Sequence, residues 1–96
     1  MPLQRGDVQG YDSNRMIVAF TMLNQGKAVP CAISTAAMDD LEDKRNVLPD
    51  QRLDQFERLR EVIEERASRK FFDEQMQADR PVVLRSNDFP RKPLSA

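Results

Sequence analysis

Met16-Ile17-Val18-Ala19-Phe20-Thr21-Met22-Leu23-Asn24-Gln25-Gly26-Lys27-Ala28-Val29-Pro30-Cys31-Ala32-Ile33-Ser34 is the stretch whose reading decides the fold. Its β-branched, aromatic and apolar content predicts two strands, 16–23 and 28–33. Asn24-Gln25-Gly26-Lys27 supplies the turn between them, with Gly26 free to take a positive φ. Met16, Val18, Phe20 and Met22 fall on one face of the first strand; Ile17, Ala19, Thr21 and Leu23 fall on the other. A strand apolar on both sides is expected at the centre of its sheet. The second strand alternates, with Val29, Cys31 and Ile33 inward, and Pro30 has no N–H for a ladder, which predicts an edge position.

Outward from this hairpin, Ser34 is a good N-cap for a short helix, 34–42. Ile33 and Met38 have the spacing of a hydrophobic staple around that cap. After a polar loop, Asp50 is placed to cap a long helix, 50–77. Leu53, Phe56, Leu59, Ile63, Ala67 and Phe71 form its apolar stripe. Its outside offers the i,i+4 pairs Asp54–Arg58, Arg60–Glu64, Glu65–Arg69 and Lys70–Glu74. At about 1.5 Å per residue this helix would measure about 42 Å. A globule of this mass is only about 32 Å across, so the helix must break near Phe72 or project.

Pro81 opens a third strand, Val82-Val83-Leu84, expected on the free side of the first and giving the order two–one–three. Residues 1–14 read as a flexible arm with a short strand around 9–12, anchored by Val8 and Tyr11. Residues 15–86 read as a single domain and 87–96 as a loose tail. The predicted fold class is α+β: a small, mainly antiparallel sheet in the order β-β-α-α-β, packed on one face by the two helices.

Composition narrows the chemistry. The 96 residues are 40% hydrophobic and 32% charged, with a formal net charge of −1. That balance disfavours non-specific nucleic-acid binding, which needs a cationic surface. The absence of histidine removes the commonest general base and metal ligand. One cysteine forms no intrachain disulfide and points to a reducing compartment, the cytoplasm. Residues 2–14 lack the apolar core of a secretory signal, and no run is long enough to span a membrane. The expectation is a protein that is not an enzyme and takes no cofactor or metal.

The order of these features resembles the small bacterial proteins of domain-of-unknown-function family 1488. The residues that carry it are Val18-Ala19-Phe20, Val29-Pro30-Cys31-Ala32-Ile33-Ser34 and Asp39-Asp40-Leu41. They continue with Phe56, Arg60, Ile63-Glu64, Ala67 and Lys70-Phe71, then Val83-Leu84-Arg85-Ser86 and Asp88-Phe89. The resemblance covers roughly residues 11–89. It implies a compact α+β fold with no assigned activity, and it carries over no catalytic residue.

Several side chains remain as candidates. Cys31 lies near a helix start but shares the inward face of its strand, so core packing is its expected role. Arg60 and Lys70 fall inside the apolar stripe, where long cationic side chains snorkel or pair with carboxylates; with Arg85 they could instead bind an anion. Asp39, Asp40, Glu42 and Asp43 cluster without the spacing of a calcium loop. Arg80, Arg85, Arg91 and Lys92 make the C-terminal end basic, with one aromatic, Phe89, beside them. Val62, Phe72 and Met76 lie opposite the core stripe and make a candidate interface for a homodimer or another protein. The functional expectation is a small interaction module that self-associates; the alternative is an anion- or nucleic-acid-binding regulator using Arg60, Lys70 and Arg85.

Overall fold

The hairpin is built as its sequence predicts. β2, Ile17–Asn24, and β3, Lys27–Ser34, run antiparallel in unbroken register from Ile17↔Ser34 to Asn24↔Lys27. Gln25 and Gly26 both take positive φ, 54° and 84°, which closes a two-residue turn whose twist matches the strands. In this computed structural model residues 3–43, 46–74 and 80–89 are described.

The N-terminal arm is a strand rather than a flexible segment. β1, Gln4–Asp12, pairs antiparallel with β2, with register shifts between Arg5 and Val8 and between Val8 and Gly10. Val8 and Tyr11 pack on the core as expected, and Leu3 is buried with them. The Leu3 N–H donates to Ser68 Oγ at 2.9 Å. A polar strand is tolerated here because it forms the sheet edge.

Ser34 caps α1, Thr35–Glu42, its Oγ accepting from the Ala37 N–H at 3.1 Å. Ile33 and Met38 are fully buried on either side of the cap. The long helix starts and ends within narrower limits than 50–77. A 3-10 turn, Pro49–Gln51, precedes α2, Arg52–Asp73. Asp50 is therefore not the N-cap: Pro49, with φ fixed and no N–H to satisfy, begins the turn ahead of it. The 22 residues of α2 span about 33 Å, which fits the molecule's extents of 36 × 35 × 20 Å.

Phe56, Ile63, Ala67 and Phe71 form the buried stripe, with Leu59 packed beside them. Leu53 is not part of it and is 43% exposed. Arg52 and Gln55 turn inward in its place.

β4, Val82–Leu84, joins the far edge of β3 in parallel, Cys31↔Val82 to Ile33↔Leu84. The sheet order is β1-β2-β3-β4, not two–one–three, because β1 already occupies the free side of β2. β2 is central, as its two apolar faces imply. β3 is also interior, which corrects the edge position inferred from Pro30. The proline faces Thr21 in the β2 ladder, and β4 begins pairing only at Cys31, so the missing N–H lies where the second ladder stops. The tail is ordered at its start: Ser86–Asp88 form a 3-10 turn, and Phe89 packs against the core.

Candidate functional site

Residues alternate across a strand, so each of β2, β3 and β4 divides into two sets. Val18, Phe20, Met22, Val29, Cys31, Ile33, Val82 and Leu84 belong to the buried core beneath α1 and α2. The opposite face presents Ile17, Ala19 and Leu23 from β2, Pro30 and Ala32 from β3, and Val83 from β4. None of these six belongs to the core cluster, but Ala32 is buried at 6% exposure and the other five are half-buried by their neighbours in the sheet. Thr21 lies among them, its hydroxyl accepting from the Asp7 N–H at 2.9 Å. No charged side chain falls between Ile17 and Leu23 on β2 or between Ala28 and Ser34 on β3. The molecule is 20 Å deep along its shortest axis, enough for one sheet and one helical layer.

Charge is concentrated on the other side. Every ion pair among the described residues includes an α2 side chain. Arg60 pairs with Glu64 at 2.9 Å and Glu57 at 3.0 Å, and its Nη2 donates to the Gly6 carbonyl at 3.1 Å. Hydrogen bonding to Glu64 raises its pKa above the ordinary guanidinium value; burial opposes this and Glu57 adds to it. Glu64 also holds Arg5 at 2.9 Å. Lys70 Nζ donates to the Val83 carbonyl at 2.8 Å and to Asp88 at 3.1 Å. Arg85 has an exposed side chain, and its backbone N–H donates to Asp88 at 2.8 Å.

Ten residues along a helix separate Arg60 and Lys70 by about 15 Å. The trio is therefore not gathered around one point. Arg60 fastens β1 to α2, while Lys70 fastens β4 and the turn after it.

Val62 and Phe72 are 49% and 43% exposed but line different recesses. A cleft of about 500 Å³ between the start of β1 and the end of α2 has Leu3, Met22 and Phe72 among its walls, under Arg5, Glu64 and Arg69. A smaller one, of about 230 Å³, lies between Val62 and Phe89. Glu65 and Arg69 border both. Met76 lies outside the described residues, as do Arg91 and Lys92.

The family described as a protein of unknown function, DUF1488, matches residues 5–84. The chain belongs to the DUF1488 family. A crystal structure of a protein of unknown function from the same family, from Shewanella loihica, superposes with a TM-score of 0.69 at 23% identity, covering 84% of this chain and 92% of that one. At that identity the likeness speaks for the fold. No curated protein matches the chain.

In this DUF1488 chain the acidic cluster is spread over separate partners. Asp39 accepts from Arg52 Nη1 at 2.7 Å and from Gln55 Nε2 at 3.0 Å. Glu42 takes Arg58 at 2.8 Å. Among the described residues, no group of three or more carboxylate or cysteine side chains is placed to hold a metal ion.

The Asp39–Arg52–Gln55 network is the polar feature that pattern reading misses. Arg52 and Gln55 are buried, and Arg52 Nη1 also donates to Gln55 Oε1 at 2.7 Å. One signal was present in the DUF1488 sequence: positions 52, 56, 59 and 63 continue the helical repeat of the core stripe upstream by one turn.

Cys31 is 4% exposed, its thiol 3.4 Å from the Val29 carbonyl. Burial pushes its pKa up to about 12, against a smaller lowering from the Met22 backbone. The thiolate needed for nucleophilic or redox chemistry is suppressed near neutral pH.

Proposed function

We propose that this member of the DUF1488 family is a non-catalytic interaction module that works in the cytoplasm and associates with itself. One observation carries the reading: the central strands turn a row of uncharged, largely apolar, half-buried side chains away from the core that both helices cover. Soluble monomers rarely expose a contiguous apolar patch of more than a few hundred Å², and larger ones mark contact surfaces.

The side chains that could do chemistry support the same reading. Cys31 is buried with a raised pKa, the chain has no histidine, and Arg60 and Lys70 are engaged by carboxylates. No helix among the described residues is long and apolar enough to cross a membrane.

The test is mass in solution as a function of protein concentration. A species of twice the 11.1 kDa chain mass, dissociating on dilution, is the expected result. A mass of one chain throughout the accessible range overturns self-association.

A further inference from the structure

We propose that two copies pair through the outer sheet face, sheet against sheet, to give a four-layer helix–sheet–sheet–helix assembly. This rests on the self-association reading and names its surface. Three observations favour a second copy as the occupant.

The first is electrical. Each ion pair among the described residues involves α2, whereas the outward positions of the two central strands carry no charge. Covering the central strands therefore strips water from no ionised group, the costliest step in forming a dry interface; Asp12 of β1, paired with Ile17, lies at the rim. Two chains of net charge −1 repel one another only weakly.

The second is shape. Ala19, Ala32, Pro30 and Thr21 are small, and they sit in adjacent register as Ala19↔Ala32 and Thr21↔Pro30. A low centre flanked by Ile17, Leu23 and Val83 suits another sheet stacked at about 10 Å. The same patch can serve both partners about a two-fold axis, the commonest arrangement of homo-oligomers.

The third is size. Strands of eight residues, four across, give the sheet a face of about 26 × 19 Å and a footprint of about 500 Å², the scale of a weak dimer that dissociates on dilution. A short peptide would leave much of that surface wet.

The experiment measures mass against concentration for the wild type, Ala19→Lys, Val83→Lys and Phe72→Glu, with far-UV circular dichroism as the folding check. Ala19 sits near the middle of the face. Val83 lies on the short outer strand, where lysine is well tolerated, so it serves if Ala19→Lys does not fold. The inference expects the wild type and Phe72→Glu to dimerise alike, and at least a 100-fold weaker dimer for each folded lysine variant. Dimers of undiminished strength in the folded lysine variants overturn the sheet-face assignment. Should Phe72→Glu alone dissociate, self-association stands and its surface is the α2 cleft instead. A wild-type monomer at every concentration removes both the inference and the reading beneath it.

Discussion

Arg52 Nη1 lies 2.7 Å from Asp39 Oδ1, joining the first turn of the long helix to the middle of the short one. The guanidinium is nearly buried and its carboxylate partner only partly so. Removing the partner leaves a buried cation with only Gln55 to satisfy it. Asp39→Ala is expected to cost about 3 kcal/mol, the scale for breaking a buried ion pair. Urea unfolding checks this, and a loss under about 1 kcal/mol would show that the pair is solvated.

The same pair sets a pH dependence. Burial raises the Asp39 pKa, but hydrogen bonds from Arg52 and Gln55, with the Arg52 charge, outweigh it and hold the carboxyl below 3.8. A depressed native pKa stabilises the fold above the unfolded value and is lost as pH falls below it. The wild type should therefore lose stability on acidification below about pH 4 more steeply than Asp39→Asn, as read from urea midpoints between pH 5 and 3.

Gly6 has no room for a side chain. A Cβ there would lie 2.5 Å from the Thr21 carbonyl oxygen and 2.8 Å from its carbon, both backbone atoms of β2. Relief requires β1 to move off β2, which also strains the Arg60 bond to the Gly6 carbonyl. Gly6→Ala should destabilise by about 1–3 kcal/mol. A thermal midpoint equal to that of the wild type would show that β1 shifts freely.

Cys31 should resist thiol reagents at pH 8 in the native state and react at once in denaturant. Its alkaline behaviour follows from a folded pKa near 12 against 9.0 for the free thiol. Stability from this group is complete below pH 9 and drains away as pH rises toward 12. Between pH 8 and 10.5 the wild type should therefore lose more stability than Cys31→Ala, which isolates the thiol from other titrating groups. Parallel losses would show that the thiol ionises without unfolding.

Lys70→Met keeps the apolar stem and deletes the ammonium that binds Val83 and Asp88. The Val83 carbonyl loses this donor and Asp88 keeps the Arg85 N–H, which should cost about 1–3 kcal/mol. Limited tryptic proteolysis is expected to cut after Arg85 sooner than in the wild type. Unchanged cleavage would show that β4 is held by its ladder alone.

What could be read in advance was what neighbouring residues determine. The hairpin, its Gly26 turn, the Ser34 cap, the staple and the inward Cys31 all follow from residues within a few positions of one another. The pairing of Arg60 with Glu64 was visible for the same reason. Arg58 and Lys70 departed from their expected i,i+4 partners because Glu42 and Asp88 come within reach only after folding. β1 was underestimated because a polar edge strand draws its support from α2, through Arg5–Glu64 and Arg60 with the Gly6 carbonyl. Leu53 leaves the stripe because Asp39 draws Arg52 and Gln55 inward, a contact that hydrophobic periodicity does not register. The bare sheet face was half legible: both sides of β2 read as apolar, but nothing local said that only one would be covered.

The parallel ladder between Cys31 and Val82 makes contacts across 51 positions, whereas β1, β2 and β3 are joined by short turns. Loop closure slows such distant pairing relative to hairpin formation. During synthesis the three-stranded meander is complete well before the last strand leaves the ribosome. Until Val82 arrives, the far side of β3 stands as an open strand edge, the kind that recruits other chains. A chain truncated before residue 82 leaves that β3 edge unpaired and is therefore expected to aggregate rather than yield a smaller stable domain.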